Sequence, residues 1–225
     1  MTPRKVTVAL AGNPNSGKTT VFSNLTGARQ HVGNWPGVTV EKKDGSRNFK
    51  GYNIKVVDLP GVYSLTAYSL DEVVARDYVV DEKPDVVVDV VDASNLERNL
   101  YLAVQLLEMK ANLVIALNMM DVAESRGYEI DIKGLAHLLG IPVVPLVAAR
   151  NQGTDELLQT IVDVAESNIQ LSRINIKYGR DVEAEISKLE ELISDNSLSK
   201  SYSPKWLALK LLEEDEEIIS KIRRA

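Results

Sequence analysis

A mostly parallel β-sheet with helices on both faces, followed by a small helical appendage, is the fold the sequence predicts, on three observations. Short β-branched runs alternate with helical patterns up to about Ser167, the signature of strands joined by crossover helices. The first of these runs opens directly into Gly12-Asn13-Pro14-Asn15-Ser16-Gly17-Lys18-Thr19. That octet fits G-x-x-x-x-G-K-[ST] in the strand–loop–helix setting a phosphate-binding loop requires. Beyond Ser167 strand signals fade and charged, amphipathic helical spacing takes over.

Each element has a reason. Residues 6–11 form an apolar run of strand length, and a helix is expected over 18–25. Strands over 38–49 and 52–58 read as a hairpin or meander, because Asp44-Gly45 and Lys50-Gly51 supply turn residues. A helix over 70–80 precedes a strand over 86–92, whose Val86-Val87-Val88 core is β-branched. A helix over 96–110, a strand over 113–118, a helix over 132–139, a strand over 143–146 and a helix over 154–167 complete a six-stranded sheet. In the appendage, Val182, Ile186, Leu189 and Ile193 recur at helical spacing. Trp206, Leu207, Leu209, Leu211, Leu212, Ile218 and Ile219 mark a second helix over 205–222. The acidic run from Glu213 to Glu217 reads as a solvated face or a helix start. The expected division is 1–167 for the α/β domain and 168–225 for the helical one.

Bulk composition narrows the classes. An apolar fraction of 44% in 225 residues supports a packed core. A formal charge of −6 argues against a nucleic-acid binder, whose footprint is basic. With no cysteine there is neither a disulfide nor a thiolate metal site. No apolar run approaches the roughly 18 residues of a membrane span, and Met1-Thr2-Pro3-Arg4-Lys5 lacks a signal-peptide core. The chain is therefore expected to be soluble.

The motifs define a chemistry. In the phosphate loop, Gly12 and Gly17 let backbone N–H groups close on the phosphates, and the following helix N-terminus adds positive potential. Lys18 can reach the β- and γ-phosphates, and the Thr19 hydroxyl can ligate Mg²⁺. Asp58-Leu59-Pro60-Gly61 closes the third strand as D-x-x-G, placing Asp58 to hold Mg²⁺ and the Gly61 N–H to meet the γ-phosphate. Asn118-Met119-Met120-Asp121 fits N-x-x-D after a buried strand. A carboxylate at Asp121 accepts from the guanine N1–H and 2-amino groups, whereas adenine would leave it unpaired. Ala148-Ala149-Arg150 occupies the place of an S-A-x loop, with its serine lost but the Ala149 N–H still available to guanine O6. These motifs together specify a Ras-like P-loop GTPase. Thr39, between the phosphate loop and Asp58, is the natural switch threonine for Mg²⁺ and γ-phosphate, in a Gly- and Pro-bearing segment, 28–38, that can order around it. The expected nucleotide contacts are Gly12, Asn13, Pro14, Asn15, Ser16, Gly17, Lys18, Thr19, Thr20, Gly37, Val38, Thr39, Asp58, Gly61, Asn118, Met119, Asp121, Ala148, Ala149 and Arg150.

Longer phrases go beyond nucleotide chemistry. The octet at Gly12, His31-Val32-Gly33-Asn34-Trp35-Pro36-Gly37-Val38-Thr39-Val40-Glu41, Asp58-Leu59-Pro60-Gly61-Val62-Tyr63-Ser64-Leu65, and Val90-Val91-Asp92-Ala93-Ser94-Asn95-Leu96-Glu97-Arg98-Asn99-Leu100-Tyr101-Leu102 do so. With Ala116-Leu117-Asn118-Met119-Met120-Asp121 and Trp206-Leu207-Ala208-Leu209-Lys210-Leu211-Leu212, the chain resembles the cytoplasmic G-protein domain of the FeoB ferrous iron transporters. The resemblance implies GTP and GDP as ligands and a transmembrane iron-permease domain in the same polypeptide. It also implies a place at the cytoplasmic face of the membrane, with a small regulatory protein or an oligomer as conceivable partners. Residues 168–225 would link the switches to the membrane part. His31 and His137 stand apart in sequence and are read as ordinary solvent or core histidines, so no structural iron site is expected. Val62 follows Gly61 where Ras-like enzymes place a glutamine that orients water. By resemblance to cation-activated GTPases, Asn15 would instead help bind K⁺ beside the phosphates, making Asn15, Lys18, Thr39 and Gly61 the expected catalytic group. The competing reading is a free-standing GTPase of ribosome or RNA assembly, which shares every nucleotide motif but would favour a basic appendage.

Overall fold

The computed structural model describes residues 3–27, 30–169, 171, 176–193, 198 and 202–224. Ala28 and Arg29 of the expected switch segment lie outside the described residues. A seven-stranded sheet runs in the order β2-β3-β4-β1-β5-β6-β7. Its strands are β1 (Arg4–Gly12), β2 (Gln30–Asn34), β3 (Glu41–Phe49), β4 (Tyr52–Asp58), β5 (Val86–Asp92), β6 (Leu113–Asn118) and β7 (Val143–Pro145). β1 pairs in parallel with both β4 and β5, and β5–β6 and β6–β7 are also parallel. Alternate residues of the central strands feed two apolar layers. Val86, Val88 and Val90 pack with α1 (Lys18–Thr26) and α6 (Thr154–Ala165), while Val87 and Val91 face α3 (Leu96–Glu108). Central strands buried on both faces are why they read as continuous Val/Ile/Leu runs.

Three sequence expectations are corrected. The sheet has seven strands, not six, because Gln30–Asn34 pairs antiparallel with β3 as an exposed edge strand. The strand expected from residue 38 begins at Glu41, and Asp44-Gly45 lies inside it, with Asp44 opposite His31. The hairpin turn is Lys50-Gly51, both at positive φ (45° and 87°), the geometry a tight two-residue hairpin needs. Finally, the helix expected over 205–222 is two helices, α8 (Pro204–Leu212) and α9 (Glu216–Arg224).

The break between α8 and α9 explains the acidic run. Asp215 is buried, and its Oδ1 accepts from the N–H groups of Glu217 and Ile218 at 3.1 Å, capping α9. Its other oxygen takes Arg76 Nη1 at 3.0 Å. The run is a helix start, as one of the two readings had it, but its centre is an interior anchor and not a solvated face. Pro204 opens α8, where its missing N–H costs nothing. Helices α7 (Arg180–Ile193), α8 and α9 form the appendage around Ile186, Tyr202, Trp206, Leu207 and Ile218. Val80 joins that cluster from the other side. It belongs to a π-helical turn, Tyr78–Glu82, that ends α2 (Leu70–Asp77) earlier than the expected residue 80.

Candidate nucleotide site

The phosphate loop sits where β1 ends and α1 begins, at the carboxyl edge of the sheet where α/β folds place ligands. Two glycines there are required. A Cβ on Gly17, at φ 85°, would lie 2.3 Å from Asn118 Nδ2, and one on Gly12 would lie 2.8 Å from the Val90 carbonyl. Asn15 also takes the left-handed conformation, φ 66°, with its side chain exposed. Asn13 and Ser16 turn inward, 2% and 1% exposed, and among the described residues neither the Asn13 side-chain amide nor the Ser16 hydroxyl has a hydrogen-bond partner.

Asp58 and Gly61 come alongside through the backbone. Leu59 N–H donates to the Leu10 carbonyl at 3.0 Å and Val62 N–H to the Gly12 carbonyl at 3.3 Å. Lys18 Nζ contacts Asp58 Oδ1 and donates to the Leu59 carbonyl at 2.6 Å. Burial raises the Asp58 carboxyl above the usual carboxylate range, and the Lys18 ammonium only partly offsets it. The donors at this corner, the Thr19 hydroxyl and the Asp58 carboxylate, are hard oxygen ligands of the kind Mg²⁺ takes, usually beside substrate phosphates. Among the described residues no cluster of three or more His, Cys, Asp or Glu could hold a metal without such help.

Asn118 braces the side where the N-x-x-D stretch and the Ala148–Arg150 turn meet the loop. Its Nδ2 donates to the Ser16 carbonyl at 2.9 Å, and its Oδ1 accepts the Ala148 N–H at 3.0 Å. One side chain thus ties the phosphate loop to the Ala148–Arg150 turn. Asn24 Nδ2, 2.8 Å from the Ala148 carbonyl, holds the same turn from α1. These two contacts support a loop whose serine hydroxyl is missing. Asp121 opens the short helix Met120–Ser125 (α4), which the sequence reading missed. Arg150 Nη2 stands 3.6 Å from Asp121 Oδ2, so both lie at the same end of the site.

The switch segment is only partly assembled. Thr39 is exposed, and among the described residues no hydrogen bond joins it to Thr19, Lys18 or Asp58. Trp35 is the inward residue, 8% exposed, edge-on to Tyr78 with ring centroids 5.3 Å apart and capped by Lys42 Nζ 4.6 Å from its ring. Past Gly61, Tyr63 stacks under the Arg98 guanidinium at 4.1 Å. The Trp-Pro-Gly phrase was legible, but nothing in it announced Tyr78 as its partner.

A phosphate loop, a D-x-x-G strand end and an N-x-x-D strand end on one sheet edge define a P-loop nucleotide-binding protein of the GTPase type. The chain matches the model of ferrous iron transport protein B over residues 6–161 and that of the FeoB cytosolic helical domain over 178–225; it belongs to the FeoB family. It is 47% identical over 217 residues to the Fe(2+) transport protein A/Fe(2+) transporter FeoB fusion protein of Porphyromonas gingivalis. That match covers 95% of this chain and 26% of the relative, so the chain spans about a quarter of its length. The crystal structure of the cytosolic domain of the T. maritima FeoB iron transporter in its GDP form II has a TM-score of 0.93 and 44% identity, covering 98% of this chain and 86% of that one. The same domain in its GMPPNP form gives 0.91 at 44% identity, covering 97% and 85%. Among the described residues no helix is long and apolar enough to cross a membrane.

Proposed function

We propose that this chain is the GTP-binding and GTP-hydrolysing switch of a ferrous iron transporter, working at the cytoplasmic face of the membrane. Residues 1–167 would be the nucleotide domain and 168–225 the helical regulator of a transmembrane permease domain in the same polypeptide. The carrying observation is the Asn118 brace, which locks phosphate loop and base loop into one frame. The alternative, a GTPase of ribosome or RNA assembly, gains nothing from an appendage that carries a dense acidic run and no net basic charge, or from the family match.

The chemistry follows from the residues. The loop N–H groups of Asn13 and of residues 15–19 cradle phosphate oxygens, Pro14 having none to give, and Thr20, Gly37 and Val38 complete the surrounding wall. Lys18, exchanging Asp58 for phosphate oxygens, would release that carboxylate toward Mg²⁺, with Thr19 and Thr39 as further ligands. Bound Mg²⁺ neutralises charge on the β- and γ-phosphates. The Gly61 N–H is placed for the γ-phosphate. Asp121 reads the guanine edge, Ala149 N–H meets O6, and Met119 and Arg150 flank the base. Asp121→Asn should weaken GTP binding by about 2–3 kcal/mol, as for loss of a charge-assisted hydrogen bond, and favour xanthine nucleotides. Equal ATP and GTP affinity in the parent chain, measured by titration calorimetry, would sink this reading.

Val62 carries no group that can orient water, so the barrier must be lowered electrostatically. The exposed Asn15 amide oxygen fits a monovalent cation beside the β–γ bridge, where negative charge grows. Turnover in K⁺ is expected to exceed that in Na⁺ about tenfold, equal to ~1.4 kcal/mol of barrier. Asn15→Ala should erase that difference while leaving GTP affinity largely intact. The same rate of phosphate release in both salts rules the cation role out.

Coupling runs through one short stretch. Trp35 touches Tyr78, the first residue of the π-helical turn, and Val80 of that turn lies in the core of the appendage. π-Helical turns inside helices often mark functional positions. Movement of the switch segment with the nucleotide would therefore reach the helical regulator within three residues, and through it the permease. A small regulatory protein or a second copy of the chain would find the same surface changed.

A further inference from the structure

The loop that carries Gly61 is held at three N–H groups. Leu59 and Val62 donate to carbonyls of β1 at 3.0 and 3.3 Å, and Leu65 donates to Oε1 of Gln105 in α3 at 2.7 Å. Between the first two, Gly61 is exposed and lies against the phosphate loop, so close that a Cβ on it would stand 3.5 Å from Pro14 Cα. Among the described residues the Gly61 N–H makes no hydrogen bond, which leaves it for a ligand oxygen. Gln105 is an unexpected partner in this loop. It is buried on the face of α3 that carries Leu102, Ala103 and Leu106. A polar side chain is tolerated there only when hydrogen-bonded, and the buried Leu65 would otherwise hide an orphan N–H. Two helical turns earlier, about 10 Å along the axis, Arg98 lies over Tyr63 of the same loop. One face of α3 therefore meets the loop twice.

Glu72 also ties this loop, accepting from Ser64 Oγ at 2.7 Å and from the Tyr68 N–H at 2.8 Å. It belongs to α2, the helix into which the loop runs, so its bonds fold the loop's far end onto itself and give Gly61 no outside reference. α3 is such a reference, because Leu102 and Ala103 anchor it fully buried in the core. The bond nearest Gly61, from Val62, is the longest of the three, and the Gln105 bond is the shortest. A contact that only satisfied a buried amide would serve every nucleotide state alike. We propose that Gln105 is a positioning residue for the γ-phosphate. By fixing Leu65 to α3 it keeps Gly61 against the phosphate loop, where the free N–H can meet a γ-phosphate oxygen. The α- and β-phosphates, held by the phosphate loop itself, do not depend on it. This role rests on the nucleotide reading above.

The test is titration calorimetry on the whole chain with GDP and with GMPPNP, both in Mg²⁺. Gln105→Leu removes the acceptor and keeps the bulk. It should weaken GMPPNP binding about fivefold, the size of one hydrogen bond, and leave GDP affinity within about twofold of the parent. Gln105→Glu keeps an oxygen that accepts from Leu65 in either protonation state, and its GMPPNP affinity should stay near the parent's. The role is overturned if Gln105→Leu changes the two affinities by the same factor or changes neither. It is equally overturned if Gln105→Glu loses as much GMPPNP affinity as Gln105→Leu. A parent chain that binds neither nucleotide overturns the nucleotide reading and this role with it. A parent that binds both, with a ratio that Gln105→Leu leaves in place, overturns this role alone.

Discussion

Arg76→Ala is expected to destabilise the chain by about 3–5 kcal/mol, the cost of breaking a buried ion pair by removing one partner. Arg76 is fully buried at the end of α2. Its guanidinium reaches Asp215 at 3.0 Å, Asp77 at 3.4 Å and Glu217 in a closer contact. Burial works against its charge, and the carboxylates of Glu217, Asp215 and Asp77 outweigh it, raising the guanidinium above its ordinary pKa. Lys221 adds a second cation, 3.1 Å from Asp77 and 3.3 Å from Glu217. Removing Arg76 strands Asp215, whose side chain is only 3% exposed, and loosens the cap of α9 with it. Urea unfolding measures the loss. The double variant Arg76→Met/Asp215→Asn should recover part of it, since a pair replaced together leaves no unpaired charge. A loss below about 1 kcal/mol for Arg76→Ala, typical of surface pairs, would show that these contacts do not hold appendage to sheet.

That cluster also marks the limit of reading a sequence. The phosphate loop was legible because its chemistry needs glycines, a lysine and a hydroxyl in one contiguous stretch, and the central strands because burial on both faces leaves unbroken apolar runs. Arg76 and Asp215 lie 139 residues apart, and each looks like an ordinary charged residue on an amphipathic helix. The edge strand Gln30–Asn34 escaped notice because every residue in it is exposed, so no alternation betrays it. Asp44-Gly45 misled for the opposite reason, being a strong turn signal that strand pairing on both sides overrode. Asn118 was singled out in the sequence through N-x-x-D. Its contacts with Ser16 and Ala148 were not, since they depend on how far β6 and the loop after β1 stand apart in space. The appendage's two-helix break turned on Glu214 at φ 57° and on the buried Asp215, neither of which interrupts the apolar spacing.

Asp89→Asn is expected to flatten a pH dependence of stability that the parent chain carries in its core. Asp89 lies in the middle of β5, between Ala11 of β1 and Ile115 of β6. It is 1% exposed, and among the described residues its Oδ2 has no hydrogen-bond partner. Burial alone pushes its carboxyl up to about 7 from the ordinary 3.8, with no charged neighbour contributing. Between those values the folded chain holds a proton that the unfolded chain has released. Stability therefore falls as pH rises through this window and is flat beyond it. At 1.36 kcal/mol per unit, the loss comes to about 4 kcal/mol by pH 8. Asparagine keeps the shape and stays neutral, so parent and variant should be of similar stability below pH 4 and diverge above it. By pH 8 the variant should be the more stable by roughly the same 4 kcal/mol, less whatever the parent recovers by relaxing around the charge. The difference between the two urea midpoints, followed from pH 4 to pH 8, isolates Asp89 from Glu108 and the other titrating carboxyls that both proteins share. Midpoints that run parallel across this range would mean that the carboxylate is charged in the fold and has found a partner there. The β5 strand would then need a local opening to supply one, and backbone amides from Val87 to Val91 would exchange with solvent faster at pH 8 than the fully buried sheet allows.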